Sequence, residues 1–175
     1  MKKINISIEE SALKVRSFNR SFLCAAEGIA FCLRHERNMR IHLSITFYVL
    51  CFSVFYDLSS LEYAVLLTVI GLVLAAEAIN TAVEAIININ IEYYHKLARI
   101  AKDAAAGAVL MCSLSAMAVG CILFLKFDEI FFIINFLYTD YFYGIIFLLS
   151  IPAALIFIFF YPFRIKHIGR THIEH

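Results

Sequence analysis

The sequence predicts an all-α, polytopic membrane protein, and three observations carry that prediction. Apolar residues make up 62% of its 175 residues, more than a water-soluble domain of this size carries. They are blocked rather than spread. Uncharged runs over 104–125 and 141–163 each exceed the ~18 residues that a helix needs to cross a bilayer. The third observation is the order of the charges, which alternates from one inter-helix segment to the next.

The elements follow in chain order. Over 11–35, Val15, Phe18, Phe22, Ala25, Ile29 and Cys32 recur at steps of three and four, with Lys14, Arg16, Arg20 and Arg34 elsewhere on the wheel. That pattern predicts an amphipathic helix with a basic polar face, suited to the headgroup layer or to the protein's own surface. Spans are predicted at about 41–57, which is short, at 62–84, which carries Glu77, and at 104–125. The aromatic stretch 128–140 is too short to span. It either extends the third spanning helix or lies at the outer interface. A fourth span is predicted at about 141–163.

Fourteen of the fifteen Lys and Arg residues fall before the first span, between the second and third, or after the last. Acidic Asp57, Glu62, Asp128, Glu129 and Asp140 occupy the other connections, together with Lys126. By the positive-inside rule this arrangement predicts four membrane spans, with both termini cytoplasmic. No cleavable leader is visible. The five cysteines are odd in number and lack C-x-x-C spacing, so they read as packing residues. Nothing in the chain points to a nucleic-acid partner.

The polar residues inside the apolar runs point to chemistry. Glu77 and Glu84 are seven residues apart and therefore lie within roughly 20° of each other on a helix, with Thr81 and Asn88 on the same stripe and Asn80 beside it. A carboxylate within a bilayer costs several kcal/mol, which makes it a functional candidate, although a helix–helix hydrogen bond would also account for Glu77. The basic stretch that follows holds His95, Arg99, Lys102 and Asp103 at steps of three and four, with Lys-Asp expected at a helix start. Such a stretch can be a solvated loop. It also supplies what phosphoryl transfer to a lipid hydroxyl requires: carboxylates to hold Mg²⁺ and accept a proton, and a Lys to balance phosphate charge. Glu36, just before the first span, is a third carboxylate at the same level. The chain has no Walker loop, kinase glycine loop or G-x-G-x-x-G, so any nucleotide site is non-standard.

Over roughly Ser17 to Phe124 these residues resemble the small bacterial membrane diacylglycerol kinases and their Gram-positive branch, the undecaprenol kinases. The resemblance rests on Glu77-Ala-Ile-Asn-Thr-Ala-Val-Glu84, on Ala101-Lys-Asp-Ala-Ala-Ala-Gly107, and on Glu36-Arg-Asn-Met-Arg-Ile-His42. It implies a homotrimer with an amphipathic surface helix and three spans per subunit, using ATP and Mg²⁺ on a membrane lipid alcohol, undecaprenol or diacylglycerol. Position by position, it implies Glu77 as the base on the lipid hydroxyl and Asn80 lining the substrate site. Glu36 and Glu84 would hold Mg²⁺, Tyr94 and His95 would approach the nucleotide, and Lys102 and Asp103 would contact its phosphate end.

Two departures stand out. Asn88 occupies a position where the family usually has aspartate, and the three-span family lacks the tail from 128 onward. The chain is thus expected to hold a kinase-like unit over 1–127 and an appended segment over 128–175. The competing readings are a small proton- or ion-coupled carrier built on Glu77 and Glu84, and a catalytically weakened kinase homologue.

Overall fold

In lipid a helix is how one segment satisfies its own backbone, and only two prolines interrupt this chain. The computed structural model describes residues 20–90 and 96–160, and every regular element there is helical. These elements are α1 (20–35), α2 (Arg37–Ser53), α3 (Ser60–Asn90), α4 (Lys96–Phe124), α5 (Phe127–Thr139) and α6 (Tyr141–Phe160).

The boundaries have local causes. Ser59 and Glu62 form a reciprocal capping box at the start of α3: the Ser59 N–H donates to Glu62 Oε2 at 2.7 Å, and the Glu62 N–H donates to Ser59 Oγ at 3.3 Å. Asp140 Oδ1 accepts the Phe142 N–H at 3.2 Å, covering a free donor at the start of α6. The turn between α5 and α6 needs Gly144, because a Cβ there would run into the Leu137 carbonyl oxygen.

Three helices, Ser60–Ile89, Lys96–Phe124 and Tyr141–Phe160, are long and apolar enough to cross a membrane. The span expected over 41–57 is corrected: α2 has 17 residues, begins with Arg37 and Arg40 in its first turn, and ends at Ser53. Polar Asp57, Ser59 and Ser60 favour a turn there and stop the helix short. The next span is longer than expected, since α3 continues past Glu84 to Asn90. Lys102 and Asp103 do not open a helix, because α4 starts at Lys96 and places them well inside it. The stretch 128–140 forms a separate helix, α5, set off from α4 at Leu125 and Lys126. The last span ends at Phe160 in the described residues.

The helices α3 and α4 form the main pair, running antiparallel. Next to them α2 lies on α3, and α6 lies on α2 and α5. Two tyrosines fasten the far end of this group: Tyr63 Oη donates to the Ser53 carbonyl at 3.1 Å and Tyr56 Oη to the Phe124 carbonyl at 3.0 Å. No residue of α6 is buried, and its Leu148, Leu149 and Ile156 are exposed. A helix apolar on every side and left uncovered by protein is one that lipid solvates. On α1, Phe22, Leu23 and Ile29 are likewise exposed, while Cys32 near its end is buried.

Candidate active site

One stripe of α3 changes character along its length. Leu66 and Val73 are buried and apolar; Glu77, Asn80 and Thr81, the next turns of the same stripe, are buried and polar. Glu77 is the most enclosed large side chain among the described residues, at 1% exposure. The Thr81 hydroxyl is satisfied by the Glu77 carbonyl at 2.9 Å. In contrast, Glu77 Oε1 and Asn80 Oδ1 have no hydrogen-bond partner among the described residues. An isolated ionised group in a dry site is costly, so the arrangement suits a carboxylate that exchanges a proton.

The nearest titratable neighbour is on α2, where His42 Nε2 lies 3.4 Å from Glu77 Oε1. Two further carboxylates, Glu36 and Glu84, lie within electrostatic reach of Glu77. Glu36 occupies the junction of α1 and α2 with extended backbone (φ −102°, ψ 117°), and its side chain does not cap α2. Glu84 Oε1 lies 3.6 Å from Lys102 Nζ on α4, both partly exposed. α3 and α4 thus bring Glu84 and Lys102 together, two turns of α3 beyond Glu77.

Asp103 is separated from this cluster. One residue along a helix turns a side chain by about 100°, and Asp103 pairs instead with Arg99 at 3.7 Å on the exposed side of α4. Asn88 is exposed near the end of α3. Tyr94 and His95 lie outside the described residues. No group of three His, Cys, Asp or Glu residues among the described residues forms a metal cage. Mg²⁺ is ordinarily held by one or two carboxylates together with substrate phosphates, and the hard oxygens of Glu36 and Glu84 suit that arrangement.

Three residues with no role in the sequence reading enter here. His42 lay within the quoted motif, and a His inside an apolar run is itself a signal. Arg40 is 5% exposed, and its guanidinium donates to the Leu33, Arg34 and Ile158 carbonyls at 3.0 to 3.3 Å. It thus closes the carbonyl ends of α1 and α6, where orphan acceptors and the negative end of the helix dipole favour a cation. The third is Ser113, whose Oγ is buried without a hydrogen-bond partner among the described residues. Ser113 and His42 line an apolar cavity of about 770 Å³ between α2, α3 and α4, whose walls include Val49, Ile70, Val73 and Met117.

Residues 23–124 match the family described as prokaryotic diacylglycerol kinase. The chain belongs to that family. The match runs from α1 to the last residue of α4 and leaves α5 and α6 outside it. Among curated relatives of this diacylglycerol kinase family, an undecaprenol kinase of Bacillus subtilis is 34% identical over 112 residues, covering 64% of this chain and 91% of that protein. A diacylglycerol kinase of Synechocystis sp. is 38% identical over 105 residues, covering 59% of this chain and 60% of that protein. Family membership carries kinase-type activity on a lipid alcohol at a membrane interface. The two relatives are named for different acceptors.

Proposed function

We propose that this chain transfers the γ-phosphoryl group of ATP to the hydroxyl of a membrane lipid alcohol, undecaprenol or a diacylglycerol, with Glu77 as general base. The observation that carries the reading is Glu77 itself: 1% exposed, one oxygen without a hydrogen bond among the described residues and only His42 Nε2 3.4 Å away, on the same stripe as the Glu84–Lys102 pair. A carboxylate so placed in an apolar helix is a functional group by default. The Glu36–His42 motif supports membership of the undecaprenol-kinase branch.

In the proposed step the lipid hydroxyl oxygen bonds to the γ-phosphorus while the bond from that phosphorus to the β,γ-bridging oxygen breaks. ADP leaves with the electron pair, and the hydroxyl proton passes to Glu77. Beside it, His42 orients the carboxylate and is the first group to which that proton can move on. Asn80 lines the hydroxyl end. Lys102 balances charge that develops on the phosphate oxygens, and preorganised charge of this kind supplies most of the catalysis in phosphoryl transfer. Glu36 and Glu84 would hold Mg²⁺, which when bound neutralises and aligns the phosphates. Tyr94 and His95 take the nucleotide side. Asp103 keeps the phosphate-end role that the resemblance implies, although in the single chain it pairs with Arg99.

The proposed setting is the bacterial cytoplasmic membrane, with the Glu84–Lys102 end facing the cytoplasm. α1 lies in the headgroup layer on its exposed Phe22, Leu23 and Ile29. α3, α4 and α6 cross the bilayer, and α2, 17 residues or about 26 Å long, crosses it as a short fourth span, so that Arg40 at its start meets the ends of α1 and α6 on one side. Both termini are cytoplasmic by the alternation of Lys and Arg, residues 1–127 form the kinase unit, and the family relationship favours a homotrimer.

The test is ATP consumption by detergent-purified protein with and without undecaprenol or diacylglycerol, followed by detection of labelled phosphate in the lipid. Lipid-stimulated turnover supports the reading. The His42–Glu77 contact also motivates a proton carrier as second reading, and proton flux in liposomes without ATP, with no lipid phosphorylation, would overturn the kinase in its favour.

A further inference from the structure

We infer that the apolar cavity between α2, α3 and α4 holds one hydrocarbon tail of the acceptor lipid, and that the appended helix α5 is its end wall, so that the appended segment limits tail length. The inference rests on the kinase reading for the identity of the acceptor, and it extends that reading to a segment outside the family match.

The cavity has two dissimilar ends. At one lies His42, 3.4 Å from Glu77. At the other, Ile130, Ile133 and Ile134 of α5 form part of the lining, and Ile133 is 7% exposed. Between them the walls are almost wholly apolar. The occupant must therefore be long and apolar, with a polar group at the Glu77 end, which describes a long-chain alcohol. The size agrees, since 770 Å³ lies within the ~300–1,000 Å³ of small-molecule sites.

The depth agrees as well. From Glu77 to Leu66, the cavity residue nearest the far end of α3, is eleven residues of helix, about 16 Å. Glu77 lies seven residues, about 10 Å, inside Glu84, so a hydroxyl at Glu77 would send its tail past the middle of the ~30 Å hydrocarbon core to reach α5, beyond the far end of α4. Two contacts hold the wall in place: Phe136 of α5 packs on Phe55 in the turn after α2, with ring centroids 5.4 Å apart, and α5 packs on α6.

The experiment uses the full-length protein in two assays. In the first, with ATP and Mg²⁺, turnover is measured on single-tail monoacylglycerols of increasing length for wild type, Gly120→Leu and Ile133→Ala. Gly120 lines the cavity and a Cβ there meets nothing within 4 Å, so the larger side chain enters the tail path without a backbone clash. Gly120→Leu should lower the long-to-short preference in kcat/KM by about tenfold or more, the scale at which a filled pocket rejects an extra methylene. Ile133→Ala should move the optimum to longer tails. The second assay omits ATP and Mg²⁺ and maps the labelling of a monoacylglycerol carrying a photoreactive group at its tail end.

Labelling at Ile130 to Ile134, competed by unlabelled monoacylglycerol, is the expected result. It would stand even if no lipid is phosphorylated, which separates failure of the kinase reading from failure of this one. An unchanged length profile in both variants, or labelling confined to the outward face of α6 and not competed, would overturn the inference. So would a Gly120→Leu protein whose oligomeric mass changes while its tail preference does not, because a second copy would then be the occupant.

Discussion

Two antiparallel helix seams in this protein treat their polar groups in opposite ways. Between α3 and α4, and against the facing α2, Glu77 Oε1, Asn80 Oδ1 and Ser113 Oγ are buried without a hydrogen-bond partner among the described residues. Between α2 and α6 the polar groups are matched: Arg40 donates to Ile158 as well as to the end of α1, and Tyr48 Oη meets Ser150 Oγ at 2.9 Å. Aromatic edges fill the rest of that second seam, with Phe147 against Tyr48 and Phe52. Unmet polar valence in a buried site is destabilising, so a stretch that retains it has a use for it. A fully matched seam needs no explanation beyond holding two helices together. The first seam falls within the family match and the second includes a helix beyond it.

Substitutions can break that contrast. The largest effect is expected for Glu77→Gln, which keeps size but removes the base: lipid phosphorylation should fall by at least ~10², the usual contribution of general-base catalysis. Thermal stability should hold or rise, since a buried carboxylate becomes a neutral amide. Unfolding curves recorded beside the rate assay would separate the two, and near wild-type turnover would remove Glu77 from the mechanism.

Arg40→Met tests the matched seam and should do the reverse. Losing charge-assisted bonds to two helix ends should cost about 2 kcal/mol or more, read as a lower melting temperature in detergent. Loss of turnover without loss of stability would instead move Arg40 into the site.

A smaller effect is expected for the metal ligands. Glu36→Gln and Glu84→Gln should each raise the Mg²⁺ requirement on the order of tenfold, and the double variant should cost less than the sum if both hold one ion. Full additivity in a double-mutant cycle argues for separate roles. The smallest change belongs to Tyr48→Phe, which removes one interhelical hydrogen bond worth about 0.6 kcal/mol in membrane proteins. Its turnover should be unaltered.

Much of the site was legible because helices are periodic. Once 62–84 was read as a helix, Glu77 and Glu84 fell on one side with Asn80 beside them, while the contact of Lys102 with Glu84 was left to the packing of α4 on α3. The all-α class followed from run lengths alone. Hydropathy misread the end of the first expected span because Val54, Phe55 and Tyr56 remain apolar after the helix has stopped at Ser53. It also missed the extra turns of α3 and α4, whose polar ends are helical by hydrogen bonding and not by apolarity. The capping box at Ser59 and Glu62 was a usable signal for the start of α3.

By itself the sequence determined which residues share a helix face and the family signature, because each of these is set by spacing along one chain. Only the tertiary structure decided which faces meet. That His42 lies beside Glu77, that Arg40 closes the ends of two helices, and that α5 floors a cavity opened by three others are facts of packing. They depend on crossing positions between segments far apart in the chain, which no local periodicity encodes.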